Sequence, residues 1–195
     1  MFMVKPSSKP GFWRRFRRAE SGAAAVEFGL VALPFFMLMW AIIELGMVFF
    51  VDVTLDNAVG RMSRQIRTGE FQSAGGTAET FKSAVCSRML WLESGCSSVL
   101  RVDVRTFELF ADVKDAPPPT TDPESGDPEF NSANNCFQTG GPTNIVLVRA
   151  FYEWTLFTPL LDNSLVNLGN NKRLLTAATI FRNEPYGPAT EPPSC

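Results

Sequence analysis

From Phe28 to Val51 the chain runs for 24 residues with a single charge, Glu44. As a helix rising ~1.5 Å per residue this stretch covers roughly 36 Å, enough to cross a ~30 Å hydrocarbon core with some tilt. It is longer than the roughly 7–15 residue apolar core of a secretory signal peptide, and no A-x-A-like site follows it. The pattern therefore predicts a helix that stays in the protein and anchors it. Pro34 lies inside, removes a backbone donor, frees the carbonyl of Leu30 and is expected to kink or soften the helix there. Beyond Val53 the apolar run becomes a stripe. Leu55, Val59, Met62 and Ile66 recur at helical spacing over residues 54–68, while Arg61, Arg64 and Arg67 fall on another side that reads as solvated or headgroup-facing. Gly69 is placed to cap this helix, which is expected from Ala23 to Thr68 and can pack on a globular body only through its second half.

After a loop at residues 70–78, Phe81, Val85, Met89 and Leu92 mark a second helix over 79–92, and SGCSS reads as a turn. Residues 99–110 alternate apolar and polar as a strand with one buried face does. Residues 112–143 are poor in apolar residues and rich in Pro, Asp, Asn and Gly, and read as a surface excursion or disordered loop. Residues 144–157 are β-branched and aromatic throughout, the strongest strand signal in the chain. A short helix over 160–168, a third strand over 173–182 and an extended Pro-rich tail complete the pattern. Helices followed by strands, without βαβ alternation, predict an α+β fold: a long N-terminal transmembrane helix, a second helix and a small antiparallel sheet of about three strands. The organisation expected is a basic leader at 1–22, the long helix at 23–68 and an α+β domain at 69–195.

Charge is uneven along the chain. Residues 1–22 hold six Lys/Arg against one acid, and the remainder holds twelve against nineteen, so a +5 leader precedes a −7 body. The cluster RRFRR at 14–18, directly before the apolar run, places that end in the cytoplasm and the body on the other side of the membrane. An acidic body argues against a nucleic-acid partner. The absence of histidine removes the usual general base and the usual metal ligand. No Walker loop, G-x-S-x-G, H-E-x-x-H or dinucleotide fingerprint is present, so no catalytic residue, metal or cofactor is assigned. The acids Asp122, Glu124, Asp127 and Glu129 read as a solvated loop and lack the tighter ligand geometry of a calcium site. Glu108 and Asp112 read as solvated strand-end acids. The four cysteines contain no C-x-x-C, and beyond a membrane segment an even count fits disulfides, with buried thiols as the alternative. Cys86 and Cys96 enclose a short helix-to-strand connection and are expected to pair locally. That leaves Cys136 with Cys195, a bridge that would pin the tail to the excursion.

Two acids lie in the apolar segment. A carboxylate there costs several kcal/mol unless it is paired, protonated or snorkelling. Glu27 is near the helix N-terminus, where the macrodipole favours it. Glu44, an intramembrane acid to which the sequence assigns no role, is expected to snorkel toward the outer headgroups.

The stretch SGAAAVEF, with the basic leader before it and the apolar helix after it, resembles a prepilin-peptidase site. Gly22 precedes the scissile bond, Ala23 is the new first residue, Glu27 the fifth and Phe28 the sixth. The chain as a whole resembles the TadE-like minor pilins, or pseudopilins, of the tight-adherence (Flp) pilus, a type IV-related system. The run N-A-V-x-R-x-x-R at Asn57 to Arg64, the late cysteines and F-R-N-E-P-Y at Phe181 to Tyr186 add to this resemblance. A major pilin of this system is much smaller and largely the helix alone, so the extra domain implies a minor component.

The resemblance implies processing by a prepilin peptidase and pairing of Glu27 with the freed Ala23 amine of a neighbouring subunit. It assigns no role to Glu44. The partners implied are the peptidase, other pilin and minor pilin subunits, the inner-membrane assembly machinery and membrane lipid. The location implied is the inner membrane, single-pass, with a cytoplasmic N-terminus, a periplasmic domain and incorporation into a pilus. The competing expectation is a static single-pass anchor whose periplasmic domain binds a partner.

Overall fold

In the computed structural model, the described residues are 20–89, 92–119, 130–157, 165–187 and 195. The chain divides into two compact units, Met1–Ile43 and Glu44–Cys195. Helix α1, Glu20–Arg67, runs through both and contains Pro34. Its first unit is exposed along the apolar run, with Phe28, Leu30 and Val31 each about 70% exposed.

The second unit is built on the stripe. Val48, Val51, Leu55, Ala58, Val59, Met62 and Ile66 are buried, while Arg61, Arg64 and Arg67 are exposed. The stripe shares one core with Phe81, Val85 and Met89 and with one face of a three-stranded antiparallel sheet. The strands β1 (Leu100–Phe107), β2 (Ile145–Thr155) and β3 (Lys172–Arg182) lie in the order β1-β2-β3. Their register places Val104, Val148 and Thr179 side by side, so the even residues of β1 and β2 and the odd residues of β3 share the core face. Val146, Val148, Ala150, Tyr152 and Trp154 of β2 are accordingly all buried there. The α+β class expected from the pattern is therefore present, with all three strands antiparallel.

Several elements differ from the sequence expectation. The 70–78 loop begins with a single helical turn, α2, Glu70–Ser73. Helix α3 covers only Ala78–Cys86, opened by a reciprocal bond pair between Thr77 and Thr80. It then tightens into i→i+3 turns, in which the Met89 amide donates to the Cys86 carbonyl (2.9 Å), so Met89 stays in the core without a continuous helix. SGCSS is not a turn: Glu93–Val99 is a helix, α4. Low intrinsic helix propensity hides it, and burial of Cys96 with its bond to Cys86 outweighs that propensity.

Strand β1 stops at Phe107 and gives way to a 3-10 helix, Phe110–Asp115. The excursion is not wholly at the surface. Phe137 packs edge-on against Phe71 and Phe81, and the Cys136 carbonyl and Gln138 amide bond to the backbone of Val104 (2.8 Å each). Residues 120–129, with the acids weighed for calcium, lie outside the described residues, as do most of the 160–168 helix and tail residues 188–194. Both bridges, Cys86–Cys96 and Cys136–Cys195, are formed.

Two polar features lock the unit. Asp103, fully buried on β1, faces Arg149 of β2 in the register. It accepts from Arg149 Nη2 (2.5 Å), from Arg105 Nε (3.0 Å) and from the Cys136 amide (2.8 Å). The arginines are themselves mostly buried and also donate to the carbonyls of Pro117 and Asn134. The second feature is the hexapeptide F-R-N-E-P-Y. Asn183 Nδ2 donates to the carbonyls of Thr139 and Gly141, and Glu184 bonds to Arg67 through both its amide and its carboxylate. The Tyr186 ring lies against Gly69, whose φ is +79° and where a Cβ would come within 2.5 Å of the ring. Glycine is thus required at 69 both for the left-handed turn and for the ring.

Replacing Asp103 by Ala leaves two largely buried guanidinium groups without their carboxylate, and is expected to destabilise this unit by about 3–5 kcal/mol. Urea unfolding of the full chain in detergent, followed by near-UV circular dichroism, measures it; a loss below about 1 kcal/mol would rule out a desolvated pair.

The chain has two tyrosines. Burial raises Tyr152 above the usual 10.0, and burial raises Tyr186 likewise, partly offset by the hydrogen bond from Gln72. The folded state therefore holds the phenol protons more tightly than the unfolded state. Their contribution to stability is complete below pH 10 and is lost as pH rises through the raised folded values. Absorbance titration at 295 nm should show both phenols ionising above pH 10 in the native chain and at the ordinary value in denaturant. Native titration at the ordinary value would contradict it.

Candidate functional site: the acids and exposed face of the long helix

Gly22, Ala23, Glu27 and Phe28 lie in the first two to three turns of α1. Ala23 and Glu27 are four residues apart, hence on one face and one turn apart, and both are exposed. Phe28 begins the exposed apolar run beside them. A Cβ added at Gly22 would meet nothing within 4 Å, so the chain's own packing does not require glycine at that position. The same holds at Gly29. From Ala24 to Ile43 the helix presents 20 residues, or about 30 Å, of almost wholly exposed surface, and α1 is long and apolar enough to cross a membrane. Exposed aromatic and aliphatic side chains in a contiguous run of this size mark a lipid or protein contact surface.

Glu44 departs from the expectation. Its side chain turns into the fold: the residue is 1% exposed, and Oε1 accepts a hydrogen bond from the backbone amide of Phe157, just beyond β2. The physical reason lies in the spacing. Glu44, Val48, Val51 and Leu55 continue one stripe at three- and four-residue intervals, so the acid is the first member of the buried face. A carboxylate bonded to a backbone donor inside the fold is satisfied without lipid or water. Sequence reasoning counted Glu44 with the apolar span because it lies within it; the backbone donor that satisfies it is 113 residues away.

Glu27 and Glu44 belong to different compact units. Among the described residues, no group of three or more His, Cys, Asp or Glu could hold a metal ion. The buried Asp103 cluster was missed by the sequence reading. Its available signal was a lone arginine, Arg149, within the apolar run Ile145–Phe151 and an acid between Arg101 and Arg105, but only the β1–β2 register pairs them. Glu108 and Asp112 lie near the end of β1 and in the 3-10 helix after it, with Glu108 exposed.

The model of a family described as TadE-like protein matches residues 22–64. No curated protein and no solved structure matches the chain. The matched segment begins at the glycine of the SGAAAVEF stretch, passes through the exposed run and Glu44, and ends at the last arginine of the N-A-V-x-R-x-x-R run. Over those residues, which form most of a helix long and apolar enough to cross a membrane, the chain is similar to TadE-like proteins.

Proposed function

We propose that the protein is a minor pilin, cut by a prepilin peptidase after Gly22 and assembled into a pilus through its exposed N-terminal helix. The observation that carries this reading is the exposed pair of positions Ala23 and Glu27, one turn apart at the start of a bare apolar surface. In lipid an unpaired Glu27 costs several kcal/mol. Cleavage after Gly22 would create an α-amine on Ala23, ordinarily protonated below about pH 7.7–8.0. That amine, from a neighbouring subunit, neutralises Glu27 and sets the register of one helix against the next. The uncut chain has no such amine, so processing licenses assembly. The protein acts by assembly and delivery of its body, without catalysis of its own. It does so from the inner membrane, with the leader in the cytoplasm and the body in the periplasm.

The open space at Gly22 supports the same reading. Where a fold leaves room for any side chain, a glycine fits the demand of an enzyme that accepts only small residues there. Substituting Gly22 by Leu is therefore expected to leave the fold intact and to block processing; normal processing of that variant would move the site elsewhere. Mass spectrometry of the chain extracted from membranes containing the peptidase is expected to find Ala23 at the N-terminus. Met1 retained under those conditions would overturn the proposal and leave a static membrane anchor. Glu27→Gln is expected to be processed nearly as well as the parent but lost from sheared pili on immunoblot. Undiminished incorporation would remove the amine–carboxylate pairing.

A further inference from the structure

We propose that the outer edge of β3 is a docking site for an extended segment of another protein chain. The segment adds a fourth strand along residues 176–180 and carries acidic side chains toward Arg173 and Arg182.

All the residues involved belong to the unit Glu44–Cys195. Its sheet has two edges, and the fold treats them differently. The outer edge of β1 is closed at Val104, which bonds through both its amide and its carbonyl to the returning segment at Cys136 and Gln138. At β3 only the start is closed. Asn167 bonds to both backbone groups of Leu174, through Oδ1 and Nδ2, and the Lys172 carbonyl accepts from the amides of Asn167 and Leu168. In an antiparallel strand the two backbone groups of a residue point the same way, and successive residues alternate. Thr176, Ala178 and Ile180 share the parity of Lys172 and Leu174, so their N–H and C=O groups also point away from β2. Among the described residues nothing bonds to them on that edge, and all three are exposed.

Natural sheet edges are blunted by charge, proline or a bulge. Between residues 174 and 181 β3 has none of these: it reads LLTAATIF, and its pairing with β2 runs unbroken from Lys172 to Arg182. Successive outward residues, each with a free donor and acceptor, are what an added strand bonds to.

Side chains at the two ends define the partner. At the start of β3 a groove of about 280 Å³ lies between the strand and α1, with Leu45, Val48 and Phe49 among its lining. Arg173 lines it too. Its Nη1 donates to the Leu165 carbonyl, while its Nε is buried without a hydrogen-bond partner. At the other end Arg182 lies over the Phe110 ring (6.0 Å). Neither arginine forms an ion pair among the described residues, and Asp52 is the one acid on the groove lining. An apolar side chain of the added strand fills the groove, and an acid beside it reaches Nε. A second copy of β3 would bring the same two unpaired cations to the pair, so charge complementarity selects a different chain.

The test uses the full chain in detergent micelles and a synthetic peptide of alternating valine and threonine. The peptide carries a glutamate at each end, about nine positions apart to match Arg173 and Arg182. Fluorescence anisotropy of the labelled peptide is expected to saturate, and a lysine-ended peptide of the same length to bind about tenfold more weakly. Lack of saturation up to about 1 mM overturns the site. Equal binding of the two peptides overturns the charge selection. Ala178→Pro removes an amide hydrogen that faces away from β2, so the existing ladder survives. This variant is expected to keep the near-UV circular dichroism of the parent and to weaken binding about tenfold. Unchanged binding places the peptide elsewhere and overturns the proposal.

Amide exchange tests the same edge without a variant. In the chain alone, Thr176, Ala178 and Ile180 are expected to exchange nearly as fast as a free peptide while Ala177 and Thr179 are protected. The glutamate-ended peptide is expected to protect all three, and unchanged exchange at saturating peptide overturns the added strand. Protection that instead grows with the concentration of the chain alone indicates pairing with a second copy and overturns the choice of partner.

Discussion

One helix has to satisfy two environments, and the switch between them is the constraint on which the structure depends. Up to Ile43 the helix presents apolar side chains outward on all sides. From Glu44 onward it presents a buried stripe to a folded body. No break in the helix marks the change. It is made by the side-chain pattern alone: from Glu44 one face is buried at three- and four-residue spacing, while Leu45, Phe49, Phe50 and Val53 carry the exposed apolar surface on as far as Val53. A body of this size has room for one modest core, and the stripe from Val48 to Ile66 supplies one wall of it. Removing that wall would leave the core face of the sheet in water.

The remaining devices hold the sheet against that wall. The Asp103 cluster fastens β1 to β2 and to the returning segment at Cys136. The hexapeptide ending at Tyr186 fastens the segment after β3 to the end of α1, with Gly69 shaped to receive the ring. The two disulfides close loops with sequence separations of 10 and 59 residues, each worth about 2–4 kcal/mol by restricting the unfolded chain. The exposed Arg67–Glu184 pair adds little beyond geometry, since solvent screens it. Together the covalent bridges and the buried ion pairs fix a small core around the second half of α1.

The matched segment and the structure divide the helix differently, and the difference is informative. The family model spans residues 22–64, which takes in the exposed run and most of the buried stripe together. Within the matched segment the N-A-V-x-R-x-x-R run covers two sides of the helix: Ala58 and Val59 face the core while Arg61 and Arg64 face outward.

Much of this was legible because periodicity is local. The long helix, its buried stripe, the three strands and the α+β class all follow from the spacing of apolar side chains, which acts over a few residues whatever the rest of the chain does. Helix α4 was illegible because serine and glycine propensities point away from a helix that a buried disulfide enforces. The fate of single polar residues was illegible for a different reason. Glu44 within an apolar run and Asp103 within a strand look alike in sequence to any stranded or solvated acid. Whether each is stranded depends on a donor brought from 113 and 46 residues away, Phe157 in one case and Arg149 in the other. The sequence by itself determined which faces would be buried. The tertiary structure decided what each buried polar group would meet, because hydrogen bonds need a specific atom within about 3 Å and burial of apolar surface does not.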